Sequence, residues 1–224
     1  MSKAILKEIQ ESNKEKGGIS EVLIHRHIST RITSILVHTK VDPDLITLFS
    51  VILAFIAAIF FLRADYVSLI IGVIFLNLSY VFDCVDGELA RYMNLNKKFG
   101  AWWDGICDRI SEYAIFSGLI LGLYFKTINP IVLILGFFAF SNLMMISFIR
   151  SRNRVFFDAK PQHETHFFGK YYLGRVDFVI MLITILALLN QVYYFLLIFT
   201  VLGAVVWIRQ IYKRVINVKY KSHS

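Results

Sequence analysis

The 224-residue sequence has only two cysteines, Cys84 and Cys107. That excludes a scaffold stapled by several disulfides. Each cysteine lies beside an aspartate, and both read as small apolar filler rather than as a bridge. The chain has no internal repeat, no low-complexity tract and no Ser/Gly linker, so its length reads as one domain. Its first residues are polar and charged, with no apolar core ahead of a cleavage site, so no signal peptide is expected. Acids are few: 16 Asp and Glu stand against 24 Lys and Arg, a net charge of +8. In a soluble protein that excess would suggest nucleic acid. Here it reads as cytoplasmic anchoring and binding of anionic ligands, with no nucleic-acid partner.

What the sequence has in abundance is apolar residues, 57% of the chain, against about 45–50% in an average soluble domain. They fall into long runs separated by short charged pieces, the pattern of a polytopic membrane protein. Spans are expected at about 44–63, 67–92, 99–125, 129–149, 173–189 and 191–211. Asp42 or Asp44 can cap the first, and Pro43 suits its opening turn. Ahead of it, Ile19, Val22, Leu23, Ile28, Ile32, Ile35 and Leu36 recur at helical spacing. His25, Arg26, Ser29 and Arg31 interleave on the other side. This predicts an amphipathic helix in the membrane interface. The expected fold is therefore all-α and membrane-integral: six transmembrane helices, a juxtamembrane helix at 19–40 and a flexible tail at 1–18.

Basic residues set the orientation. With six spans, 21 of the 24 lysines and arginines fall on one side; Arg63 and Lys126 fall on the other, and Arg109 lies within the third span. The positive-inside rule makes the crowded side cytoplasmic, with both termini. A cell-membrane location is expected.

The stretch DCVDGELARYMNLNKKFGAWWDGICD, from Asp83 to Asp108, breaks the apolar pattern. Asp83, Asp86, Gly87 and Ala90 lie on one helical stripe at the inner end of the second span. Gly100, Asp104 and Asp108 form another at the start of the third. A short connection makes the two helices antiparallel neighbours, so the stripes face each other. An aspartate at mid-bilayer costs about 2.5–3.5 kcal/mol, and four repel one another. Arg91 and Arg109 can neutralise two, but oxygen-binding divalent cations match a group of four better. Two cations about 4 Å apart form a clamp for displacement at phosphorus. Small residues on the same stripes leave room for a ligand, or simply pack helices closely.

The pattern Asp83-x-x-Asp86-Gly87-x-x-Ala90-Arg91, then eight residues to Gly100, then x-x-x-Asp104-x-x-x-Asp108, resembles the signature of the CDP-alcohol phosphotransferases. The resemblance implies a metal-dependent enzyme that moves the phosphoalcohol part of a CDP-alcohol to an acceptor hydroxyl and releases CMP. It implies that Asp83, Asp86, Asp104 and Asp108 hold two ions, Mg²⁺ or Mn²⁺. Asp108 is also the implied general base. Gly87 and Ala90 would lie against the cytidine, Gly100 would leave room for the donor, and Arg91 would meet its phosphates. Pro43-Asp44 corresponds to a Pro-Asn pair of that family. Asp44 departs from the pattern, because an ionised acid cannot donate a hydrogen bond as an amide does.

On the acceptor side, Arg150 and Arg152 in SFIRSRNR and Arg175 in LGRVD can bind an anionic acceptor bidentately, or serve only as cytoplasmic anchors. Arg150-x-Arg152 resembles a basic pair in members that use inositol phosphate. The segment HRHISTRITSILVHT resembles the interfacial helix of archaeal members. Both favour an inositol-phosphate acceptor; glycerol phosphate and serine are the alternatives. The donor is a CDP-lipid or CDP-inositol. A membrane lipid environment and a homodimer are expected from the family. His163 and His166 in PQHETH read as a polar loop rather than a metal site. A cation transporter is the competing class, but it would spread acids over several spans near the midplane.

Overall fold

The structure is a computed structural model that describes residues 25–39, 41–95, 97–157, 166–168, 171–172 and 175–221. Among them are seven α-helices: α1 (Arg26–Leu36), α2 (Pro43–Arg63), α3 (Tyr66–Tyr92), α4 (Lys97–Thr127), α5 (Pro130–Phe157), α6 (Arg175–Leu188) and α7 (Val192–Lys221). A two-stranded antiparallel ribbon, β1 (His166–Phe168) and β2 (Tyr171–Tyr172), interrupts the expected polar loop. The tail at 1–18, the Ile19, Val22 and Leu23 end of the juxtamembrane pattern, and His163 lie outside the described residues.

Among the described residues four helices are long and apolar enough to cross a membrane: α2, α3, α5 and the Val192–Ile216 part of α7. The two other expected spans differ for identifiable reasons. The first half of α4 carries Asp104, Asp108, Arg109 and Glu112. The apolar part of α6, Val176–Leu188, is shorter than a full crossing.

Local chemistry sets the helix ends. Asp42 caps α2, its side chain accepting from the Asp44 N–H at 3.1 Å, and Pro43 occupies the first turn. Asp65 caps α3 through the Ser68 N–H at 2.9 Å and the Ser68 hydroxyl at 2.6 Å. Those bonds hold the Asp65 carboxyl below its ordinary range. Asn94 ends α3 in the left-handed region at φ 51°. Beside it the Leu95 N–H reaches back to the Ala90 carbonyl at 3.2 Å, the long bond of a Schellman turn. This sharp stop reverses the chain within a few residues and brings α4 back beside the end of α3.

The chain forms two compact units. One comprises Met1–Gly122 and His163–Asn190; the other comprises Leu123–Gln162 and Gln191–Ser224. In the first, α2 packs along α3, and α1 and α6 pack on other faces of α3. Lipid gives apolar side chains little reason to leave it, so close contact must come from shape and polar pairing. Gly118 and Gly122 of α4 supply shape. A Cβ at either would collide with a backbone carbonyl of α2, that of Ala58 or Phe61 respectively. Polar pairs tie α6 to α3. Tyr66 donates to the Leu188 carbonyl at 3.2 Å, Asn77 to Thr184 at 3.0 Å, and Tyr80 to Asp177 at 3.2 Å. Their order makes the two helices antiparallel.

In the second unit α5 packs on α7. Buried Asn142 donates to the Thr200 carbonyl at 2.7 Å and accepts from the Trp207 indole at 2.9 Å. Gly203 leaves space for the Asn142 side chain. Outward residues are apolar: Phe137 is 67% exposed and Ile59 is 61% exposed. An apolar exterior over polar interior pairs is what a lipid-facing helix needs.

α1 follows the same logic in a different place. Its buried side chains are Ser29, Thr30, Thr33 and Ser34, while Ile28 and Ile35 are exposed. The amphipathic pattern is therefore seated hydroxyl side inward against α3. Ile32 and Leu36, at the edge of that face, pack on a small core of Ile46, Val85 and Leu89.

Candidate active site

The last turns of α3 and the first of α4 carry the aspartates. The reversal at Asn94 brings Asp83, Asp104 and Asp108 together, one carboxylate oxygen from each within 4.8 Å of the others. All three are part-buried. Asp86 stands outside that group. It is 5% exposed, beside the Thr47 side chain and within electrostatic reach of Asp104 and Asp108. Its Oδ2 has no hydrogen-bond partner. Cys107 is buried at the centre, within the field of all four aspartates. Both cysteines are free thiols.

These residues fit divalent cations. The donors are all carboxylate oxygens, the ligand type of hard ions such as Mg²⁺ and Mn²⁺. A buried carboxylate oxygen without a partner is costly, and Asp86 Oδ2 is such an atom beside the group. Arg109 reaches Glu112 at 2.8 Å and Asp108 at a longer 3.4 Å.

The small residues differ in what they make room for. A Cβ on Gly87 would lie 3.3 Å from Arg91 Nη1, so the Arg91 guanidinium lies across Gly87. A Cβ on Gly100 would meet nothing within 4 Å; its surroundings are open, as is expected where a ligand binds. Ala90 is part-buried. Pro43 is buried, with its carbonyl accepting from Thr47 at 3.1 Å. Asp44 is part-buried near Asp42.

A cleft opens beside Asp83 and Asp108, between α2, α3, α4 and α6. Its wall is mainly apolar, with Leu76, Ile115, Phe116 and Ile180 among the lining residues, and none of the described lining residues is a lysine or arginine. Spacing along the chain carries no sign of it, because its residues come from four helices.

The expected acceptor arginines divide. Arg150 and Arg152 lie on α5 in the second unit, and Arg152 stacks its guanidinium over Phe148 and Phe156, 5.2 and 5.6 Å from the ring centroids. Arg175 opens α6, its side chain outside the described residues.

The family model described as CDP-alcohol phosphatidyltransferase matches residues 40–212. The chain belongs to that family. It is 31% identical over 199 residues to the bifunctional IPC transferase and DIPP synthase of Aquifex aeolicus, covering 87% of this chain and 44% of that protein. It thus spans less than half the length of that relative. The fold matches the crystal structure of Mycobacterium tuberculosis phosphatidylinositol phosphate synthase with CDP-DAG bound. The TM-score is 0.67 at 20% identity, covering 83% of this chain and 92% of that one. The same enzyme in complex with manganese and citrate matches with a TM-score of 0.60 at 21% identity, covering 82% and 88%.

Proposed function

We propose that this chain is a CDP-alcohol phosphotransferase whose donor is a CDP-lipid. Convergence of Asp83, Asp104 and Asp108 beside buried Asp86 carries the reading. Asp83, Asp86, Asp104 and Asp108 would hold two divalent cations, Mg²⁺ or Mn²⁺, which when bound neutralise the donor diphosphate and stabilise departing CMP. Arg91, lying across Gly87, meets the donor phosphates. The cytidine lies against Gly87 and Ala90, near Pro43 and Asp44, with Gly100 leaving space. Asp108 takes the acceptor proton as the new O–P bond forms and the P–O bond to CMP breaks.

The apolar cleft beside Asp83 and Asp108 supports a lipid donor over CDP-inositol. Hydrocarbon chains fit its wall, which offers few partners to the hydroxyls of an inositol. The acceptor is inositol phosphate, with Arg150, Arg152 and Arg175 as its phosphate contacts. Sequence similarity to phosphatidylinositol phosphate synthases supports that choice.

Six crossings follow if α4 spans with its second half and α6 crosses beside α3. Antiparallel ties from Tyr66–Leu188 to Tyr80–Asp177 support the latter. α1 then lies in the interface, and the excess of basic residues makes the site and both termini cytoplasmic. The working unit is a homodimer in the cell membrane.

The test is CMP release by purified protein with Mg²⁺ or Mn²⁺. CDP-diacylglycerol and CDP-inositol are paired in turn with inositol phosphate, glycerol phosphate and serine. CMP is expected from CDP-diacylglycerol with inositol phosphate. Release only from CDP-inositol would overturn the lipid donor; release with none would overturn the transferase reading.

A further inference from the structure

Glu88 is a buried acid that the proposed transfer leaves unused. It sits on α3 between Gly87 and the Ala90-Arg91 pair and is 3% exposed. Its carboxylate faces α1 and accepts from the hydroxyls of Thr33 at 2.7 Å and Ser29 at 3.0 Å; the Thr30 hydroxyl, 3.5 Å away, donates to the Arg26 carbonyl at 2.6 Å. Ser29 and Thr33 are two of the four side chains that α1 buries.

Attachment of α1 does not need a charge here. Ile32 and Leu36 already pack on Val85 and Leu89, and burying a carboxylate costs free energy that an apolar residue of similar volume would not. Beyond the hydroxyls, Arg91 and Arg26 both lie within electrostatic range of the carboxylate. Glu88 and Arg91 are three residues apart, neighbours on the helix surface. Arg91 is the residue whose guanidinium lies across Gly87.

We propose that Glu88 is a positioning residue for the donor: two α1 hydroxyls, of Ser29 and Thr33, fix its carboxylate, which keeps the Arg91 guanidinium over Gly87. This rests on the reading of Arg91 as a donor-phosphate contact. It makes α1, outside the aspartate pattern, part of the donor site. A purely mechanical clasp would behave differently, because an amide oxygen at position 88 still accepts from the hydroxyls while losing the charge that holds Arg91.

The experiment measures the Kd of CDP for the full-length protein in saturating Mn²⁺, with the unfolding midpoint of each variant alongside. Glu88→Gln is expected to weaken CDP binding about tenfold, the worth of one charge-assisted contact, with the midpoint unchanged. Arg91→Ala is expected to weaken it at least as much, and adding Glu88→Gln to Arg91→Ala to change it less than about twofold. Thr33→Val, which keeps the charge but frees the carboxylate, is expected to weaken binding about threefold, and it decides the matter if Glu88→Gln does not fold. Wild-type affinity in the folded Glu88→Gln protein, or in Thr33→Val where Glu88→Gln does not fold, overturns the proposal. So does a Glu88→Gln effect that persists undiminished without Arg91. If Arg91→Ala itself binds CDP normally, the donor-phosphate reading of Arg91 fails and the Glu88 role falls with it. If Arg91→Ala weakens binding and Glu88→Gln does not, only the Glu88 role fails.

Discussion

Asp83 on α3 and Asp108 on α4 bring carboxylate oxygens within 4.8 Å of each other. Two ionised carboxylates that close repel each other, and a cation between them relieves the repulsion. Arg109 lies 3.4 Å from Asp108 and makes a shorter contact, 2.8 Å, with Glu112.

Asp104→Asn keeps the size of the side chain and removes its charge. The variant is expected to fold, with an unchanged elution volume and unfolding midpoint, and to lose CMP release by at least about 100-fold. Near-normal release would remove Asp104 from the metal site.

Gly118→Leu is expected to separate α2 from α4. Any Cβ there meets the Ala58 backbone, which cannot rotate away. The expected loss is about 1–3 kcal/mol, read as a lower unfolding midpoint in detergent.

Asn142→Leu removes the acceptor of the Trp207 N–H and the donor to the Thr200 carbonyl. A loss of about 1–2 kcal/mol is expected, since interhelical hydrogen bonds in membranes are modest. The Trp207 emission should also shift as its indole loses its partner.

Asp65 is held below the ordinary carboxylate range, chiefly by the Ser68 hydroxyl and then by the Ser68 N–H. A depressed folded pKa stabilises above the unfolded value of about 4 and is lost as pH falls through the lower folded value. Asp65→Ala is therefore expected to unfold more readily than wild type at pH 7. The two should converge as the buffer is taken below about pH 4. A difference that does not change with pH would contradict the capping role.

The sequence made the helices legible because each begins or ends in chemistry local to it. Asp42 with Pro43, and the apolar runs, placed both ends of α2 and α3 and the starts of α5 and α7 within one residue, while α5 and α7 run eight and ten residues past their expected ends into polar sequence. The i,i+4 spacing of Gly100, Asp104 and Asp108 placed them on one face, and the structure brings Asp104 and Asp108 to Asp83. What spacing cannot supply is which side of a helix meets another. Asp86 shares a stripe with Asp83, yet it turns towards Thr47 on α2. Ser29 read with His25, Arg26 and Arg31 as the polar side of the juxtamembrane helix, yet it faces Glu88. Gly118 and Gly122 were silent because their meaning lies in the α2 backbone opposite. The ribbon at His166–Tyr172 has too few residues to leave a periodic signature.

The account stands on divalent cations seated among Asp83, Asp86, Asp104 and Asp108. The most direct measurement is anomalous X-ray scattering from crystals grown with Mn²⁺ and CDP. The account predicts manganese peaks between the end of α3 and the start of α4, within carboxylate ligand distance of these side chains, with the CDP diphosphate against them. Manganese absent from that position, or CDP bound elsewhere, would contradict it.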